Sequence, residues 1–245
     1  MIACLKYELA KLFSIRSTYI MSLLAAAFSV LMVVISVVNY KPGSLGSTTL
    51  AQLIFDTPLV ASIIGSIAAI LLVGHEYRYN TIAYTLTASR SRAKVLLAKA
   101  TVTILFSAGL AAACIGIGIM CFYIGISFKE ITLPPQNFEL WDAVLRSVLS
   151  CVGDALLGLV IALLVRNIIF AIAAIFMLPT IEQVLSIWLK DNAAYLPSHA
   201  LQQLSYIPGQ AGAVFSPLKG GLIFLAYLAV GGAIAWLLFL RRDAS

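Results

Sequence analysis

The side chains able to do chemistry are few, and their spacing rules out most reactions. His75-Glu76 opens an HExxH zinc-protease pattern, but residue 79 is tyrosine, so the second imidazole is missing. The other histidine, His199, falls on the opposite side of the membrane in the topology set out below. No GxSxG nucleophile elbow is present. No GxxxxGK[ST] phosphate loop is present either, so ATP is not bound by that route. Cys4, Cys114, Cys121 and Cys151 form no CxxC pair, and three of them lie inside apolar runs. They read as small packing residues, with no disulfide and no metal site expected. Without a nucleophile–base set, no enzyme activity is expected of this chain. Two acids remain, Asp154 and Glu182, and both lie inside apolar runs. A charge in lipid must be paired, protonated or facing water. Each therefore either lines a substrate path or its outer gate, or holds two helices together. Arg146 lies two turns from Asp154, too far for a local pair.

Those residues sit in a chain built for lipid. Its 62% hydrophobic content, 11% charged content and mean hydropathy of +1.02 leave too little polar surface for a water-soluble globule, which carries about 25% charged residues. Spanning a core of about 30 Å takes about 20 apolar residues. Six runs qualify: Thr18–Val38, Pro58–Val73, Ala100–Phe128, Ala143–Val165, Ile168–Leu189 and Leu222–Leu240, with Pro179 a kink site in the fifth. The first run is longer than a signal-peptide core and is expected to remain as a helix. The predicted fold is a single all-α integral membrane domain over residues 1–245. Of the 16 Lys and Arg residues, Lys41, Lys129, Arg146, Lys190 and Lys219 fall on one side and the other eleven on the opposite side. The positive-inside rule then places both termini in the cytoplasm. Membrane orientation and anionic lipid account for the basic charge, so no nucleic-acid partner is needed.

Three pieces are not spans. Residues 1–16 carry a short amphipathic helix with Ile2, Leu5, Leu9, Leu12 and Phe13 on one face and Lys6, Glu8 and Lys11 elsewhere. It lies along the inner membrane surface, as an anchor or as a lever that holds a soluble partner. The basic loop after the second span reads as helix, break, helix. Asn80 or Thr81 can cap a short helix carrying Ile82 and Leu86 on one face, and Ser89 or Ser91 can cap the next. Residues 190–219 hold a short outer-side helix that begins near Pro197, with Leu201, Leu204 and Ile207 on one face and Gln202, Gln203 and Ser205 away from it. Only Arg166-Asn167 separates spans four and five, so those two pack antiparallel.

The run Glu76-Tyr77-Arg78…Thr81-Ile82…Leu86…Ser91-Arg92…Val95…Lys99 resembles a pattern in ABC-2 type transporter permeases, notably the bacterial bacitracin and lantibiotic exporter group. Leu178-Pro179…Glu182…Tyr195-Leu196-Pro197…Ala200 is similar to the end of the fifth span and the outer segment of the same permeases. The resemblance implies a multi-pass subunit of the bacterial cell membrane that exports an antibiotic or peptide. It implies pairing with a second permease subunit, as homodimer or heterodimer, around a pathway. It also implies separate ABC ATPase subunits that carry the ATP and magnesium, with no cofactor on this chain. Residues 76–99 would correspond to the coupling loop, with Glu76, Arg78, Thr81, Ile82, Tyr84 and Leu86 docking the ATPase or transmitting its motion. Asp154 and Glu182 would line the path or gate. The alternative from another class is an ion-coupled carrier with Asp154 or Glu182 as proton sites.

Overall fold

The computed structural model describes residues 2–14, 16–39, 49–79, 81, 91–129, 139–206 and 214–241. The described residues form α1 (Ile2–Ser14), α2 (Arg16–Val38), α3 (Thr49–Asp56), α4 (Leu59–Arg78), α5 (Arg92–Phe128), α6 (Leu140–Val165), α7 (Ile168–Leu189), α8 (Pro197–Gln202) and α9 (Pro217–Arg241). Short 3-10 turns, Lys190–Tyr195 and Gln203–Ser205, flank α8. Among these residues there is no strand. Six segments are long and apolar enough to cross a membrane: α2, the α3–α4 stretch from Leu50 to Arg78, α5, α6, α7 and α9.

The six expected spans are all present, with shifted ends. The second helix runs on to Arg78 rather than stopping at Val73, and the third begins at Arg92 rather than Ala100. Both extensions carry charge, which a search for apolar runs discards. Ser91 occupies the N-cap position of α5 with extended backbone. Arg92 Nη1 donates to the Phe239 carbonyl at 3.2 Å, so the end of α9 meets the start of α5. The two chain ends therefore share the end of the bundle where Arg78, Arg92 and Arg166 lie.

The helix α4 is the axis of the bundle. The span that contains it, Leu50–Arg78, is the most buried of the six, 61% of its most apolar window against 39% for α6 and less for the others. Its closest neighbour is α6, and small residues permit the approach. A Cβ on Gly158 would lie 2.9 Å from the Ser66 carbonyl oxygen, so that crossing admits only glycine. Ala69, Ile70 and Val73 of α4 pack with Leu159, Ala162 and Leu163 of α6 to form the core at the basic end. At the opposite end Leu50, Leu53 and Ile54 of α3 pack with Phe122, Ile126 and Ala143.

The break between α3 and α4 has a direct cause. Pro58 has no N–H to give to the Ile54 carbonyl, so the helix cannot continue through it. Ser147 Oγ supplies that missing bond from α6 at 2.9 Å, and Ser29 Oγ from α2 donates to the Thr57 carbonyl at 2.8 Å. Backbone freed inside an apolar bundle is thus satisfied by neighbouring helices. The short connection between α6 and α7 is as tight as its two residues require. Arg166 takes a left-handed backbone (φ 57°), and Asn167 Oδ1 caps α7 by accepting from Ile169 and Phe170 N–H.

Candidate functional site

Four charged side chains meet where α1, the end of α4 and the start of α5 converge. Lys99 Nζ donates to Glu8 Oε1 and to Glu76 Oε1, each at 2.8 Å, and to the Leu72 carbonyl at 3.1 Å. Lys11 Nζ donates to the same Glu76 oxygen at 2.8 Å and reaches the Leu72 carbonyl at 3.4 Å. Glu8, Glu76 and Lys99 are each only 1% exposed. Two ammonium groups balance two carboxylates, which is what makes burial tolerable, since an unpaired ion costs several kcal/mol to desolvate. The balance is incomplete at atom level: Glu8 Oε2 and Glu76 Oε2 are buried with no hydrogen-bond partner among the described residues. Burial lifts the Glu8 carboxyl above its ordinary 4.5, and the adjacent Lys99 opposes that rise.

This arrangement corrects two expectations. Glu8 does not lie away from the apolar face of α1. It projects inward beside Leu5, Leu9 and Leu12, which pack on Leu72, Val102 and Phe106. Glu76 does not belong to the loop. It ends α4, is buried, and offers no surface for docking a soluble protein. The Glu76 carbonyl accepts from Thr81 N–H at 3.0 Å, which ties the first loop residues to the network. Arg78 is exposed, with its guanidinium 5.7 Å from the Tyr79 ring. Ile82, Tyr84 and Leu86 lie outside the described residues.

Asp154 occupies a second site, toward the opposite end of α4. The rise per residue puts it about 21 Å from Leu140 and about 16 Å from Val165 along α6, well inside an apolar layer. Ser62 Oγ of α4 donates to Asp154 Oδ2, and among the described residues no other group bonds to this carboxylate. Asp154 borders a cavity of about 400 Å³ between α3, α4, α6 and α8. Asp56, Ser150, Ser198, Gln202 and Ser205 also line it. A second lobe of about 210 Å³ shares Ser62, Asp154 and Pro179 and runs along α7 past Leu157, Ile175 and Phe176. Sequence reasoning missed Asp56, Ser62 and Ser150. The proline break, which brings the end of α3 to the cavity, is the signal that marks them.

Glu182 goes elsewhere. Its carboxylate accepts from Ser198 N–H at 2.9 Å, Ser198 Oγ at 3.1 Å and His199 N–H at 3.2 Å, and it is 2% exposed. These are the free amides at the start of α8, where a helix favours negative charge. Glu182 therefore fastens α8 to α7; it does not itself line the Asp154 cavity, although its partner Ser198 does. Arg146 fastens the same region from α6. It pairs with Asp142 at 2.8 Å and donates to the carbonyls of Tyr206 at 2.9 Å and Leu204 at 3.3 Å. Gln203, expected on the outer face, is buried instead, and its Oε1 accepts from Val214 and Phe215 N–H.

Fold and sites together define a helical, multi-pass class of membrane protein. Compared with known families and with curated proteins, the chain matches no family model and no curated sequence.

Proposed function

We infer that this chain is the membrane subunit of an ATP-driven exporter of the ABC-2 permease kind, with both termini on the cytoplasmic side of a bacterial cell membrane. It pairs with a second permease subunit and takes its energy from separate ABC ATPases. The supporting observation is the buried charge network. It clamps the amphipathic helix α1 to both roots of the loop between the second and third spans. A push on that loop is therefore delivered to α4, the most buried helix, whose other end borders the polar cavity. Rigid-body motion of such a helix is a common way to exchange inward- and outward-facing states. Glu76 acts here by transmission, and Ile82, Tyr84 and Leu86 carry the contact with the ATPase.

The test is a search for an ABC ATPase encoded beside this chain, then co-expression of the two, purification and measurement of ATP hydrolysis. A stable complex is expected, and replacing Ile82 and Leu86 by Asp should abolish its assembly or its coupled activity while membrane insertion persists. Normal coupled activity in that double variant would remove the docking role. The carboxylate of Asp154, without a cationic partner among the described residues, favours one other reading, an ion-coupled carrier. Transport driven by a proton gradient in proteoliposomes that hold only this chain would establish it.

A further inference from the structure

The Asp154 cavity has a chemical character that follows from its walls. Two carboxylates, Asp56 and Asp154, line it, and among the described residues neither lobe is lined by Lys, Arg or His. Inside an apolar bundle such a potential is poorly screened, and an ionised acid there needs a positive partner. Among the described residues none supplies it: Asp154 receives one hydroxyl hydrogen bond and no ion pair. The Ser66 hydroxyl is already committed, donating to the Ser62 carbonyl at 3.1 Å. A ligand that enters the cavity can supply the positive charge.

The lobes restrict what else that ligand carries. The inner lobe is walled mainly by hydrocarbon, from Ile63, Leu157, Ile175, Phe176 and Leu178. Phe176 is half exposed on the outside of the bundle, so this lobe is bounded by a side chain that also faces the surrounding lipid. The outer lobe is hydroxylated and holds acceptors rather than an aromatic cage, since Phe55 is its one aromatic wall. A quaternary ammonium prefers stacked rings, whereas a protonated amine needs acceptors for its N–H bonds. Pro179 cannot donate to the Ile175 carbonyl, and both residues line the inner lobe. A cavity of about 400 Å³ lies within the 300–1,000 Å³ typical of small-molecule sites.

We propose that this cavity binds amphipathic molecules bearing a protonated amine, with the amine at Asp154 and the apolar part in the lobe beside α7. The site rests on the reading of the chain as a transport subunit and names its substrate class. The test uses the full chain in phosphatidylcholine nanodiscs, with empty nanodiscs as background and without any ATPase. Radiolabelled octylamine is compared with octanol, which has the same tail and no charge. Octylamine should bind saturably and at least tenfold more tightly than octanol. Asp154→Asn should remove that advantage and leave octanol unchanged. Ile175→Trp, which fills the inner lobe, should weaken octylamine more than ethylamine. Equal binding of octylamine and octanol to the unsubstituted protein overturns the proposal, and that comparison needs no variant to fold. Displacement of octylamine by sodium ion as readily as by unlabelled octylamine overturns it as well, by showing a bare cation site. Octylamine binding without ATPase coupling would keep the site and remove the exporter reading. Coupling without octylamine binding would do the reverse.

Discussion

Replacing Lys99 by methionine removes the cation at the centre of the charge network while keeping a side chain of similar length. Among the described residues Lys99 is the sole ion-pair partner of Glu8 and one of two for Glu76. The variant would bury the Glu8 carboxylate without its ion pair, with only the more distant Lys11 as counter-charge, and leave Glu76 to Lys11, which is partly exposed. Breaking a buried pair on one side costs about 3–5 kcal/mol, most of it the penalty of the abandoned charge. Removing that charge too should recover much of the loss, so Lys99→Met with Glu8→Gln is expected to regain at least about 2 kcal/mol. Reversible unfolding in mixed detergent, followed by helical circular dichroism, reads the stability. Hydrogen exchange of residues 2–14 reads whether α1 stays docked. A Lys99→Met protein with unchanged stability and unchanged α1 protection would refute the reasoning, because a buried carboxylate cannot lose its ion-pair partner without consequence. Failure of Glu8→Gln to rescue would show that packing of the lysine stem, not charge, carries the effect.

Three further outcomes are expected. Glu8 has a folded pKa raised above 4.5 by burial, so its contribution to stability is fullest below pH 4.5 and declines as pH rises through the raised value; Glu8→Gln should flatten that part of the stability profile, and thermal melts from pH 4 to pH 8 would detect it. Gly158→Ala places a methyl 2.9 Å from the Ser66 carbonyl and should cost about 1–3 kcal/mol, whereas Gly109→Ala meets nothing within 4 Å and should be neutral or stabilising in the same unfolding assay. Glu182→Ala should strip the start of α8 of its acceptor and cost about 1–3 kcal/mol, with faster amide exchange at Ser198 and His199 as the readout; unchanged exchange there would mean the cap is not what holds α8.

The spans were legible because hydropathy alone decides them, but their charged ends were not. Glu8 falls three residues after Leu5 and four before Leu12, so helical spacing already placed it on the apolar face. Lys99 likewise lies between Val95 and Val102, both buried. Reading each charge as a marker of solvent hid the pattern. The pairing itself joins residues far apart in sequence, which no local period reveals. Asp154 was visible as an acid in a span, yet its cavity depends on the Pro58 break and on α8 being drawn in by Glu182 and Arg146. Gln203 was misplaced for the same reason: the backbone N–H groups of Val214 and Phe215 draw its side chain inward, where a surface period would turn it out.

The two sites share one helix, and that gives a test between an anchor and a lever for α1. From Leu59 to Arg78, α4 is a rod of about 30 Å, and tilting it by about 10° at the charge network would move its other end by about 5 Å. The Pro58 break confines that motion to α4, since Ser147 and Ser29 hold the turn above it to α6 and α2. Ser62, whose hydroxyl meets Asp154, lies on the first turn of the rod. Loosening the network should therefore be felt at the cavity. In Lys99→Met, hydrogen exchange at Ser62–Ser66 should quicken together with that of residues 2–14, although Lys99 touches none of the cavity residues. Exchange that quickens only in α1 would make the amphipathic helix a simple anchor. Coupled exchange requires a path through the packed helix, and α4 is the one element that reaches both sites.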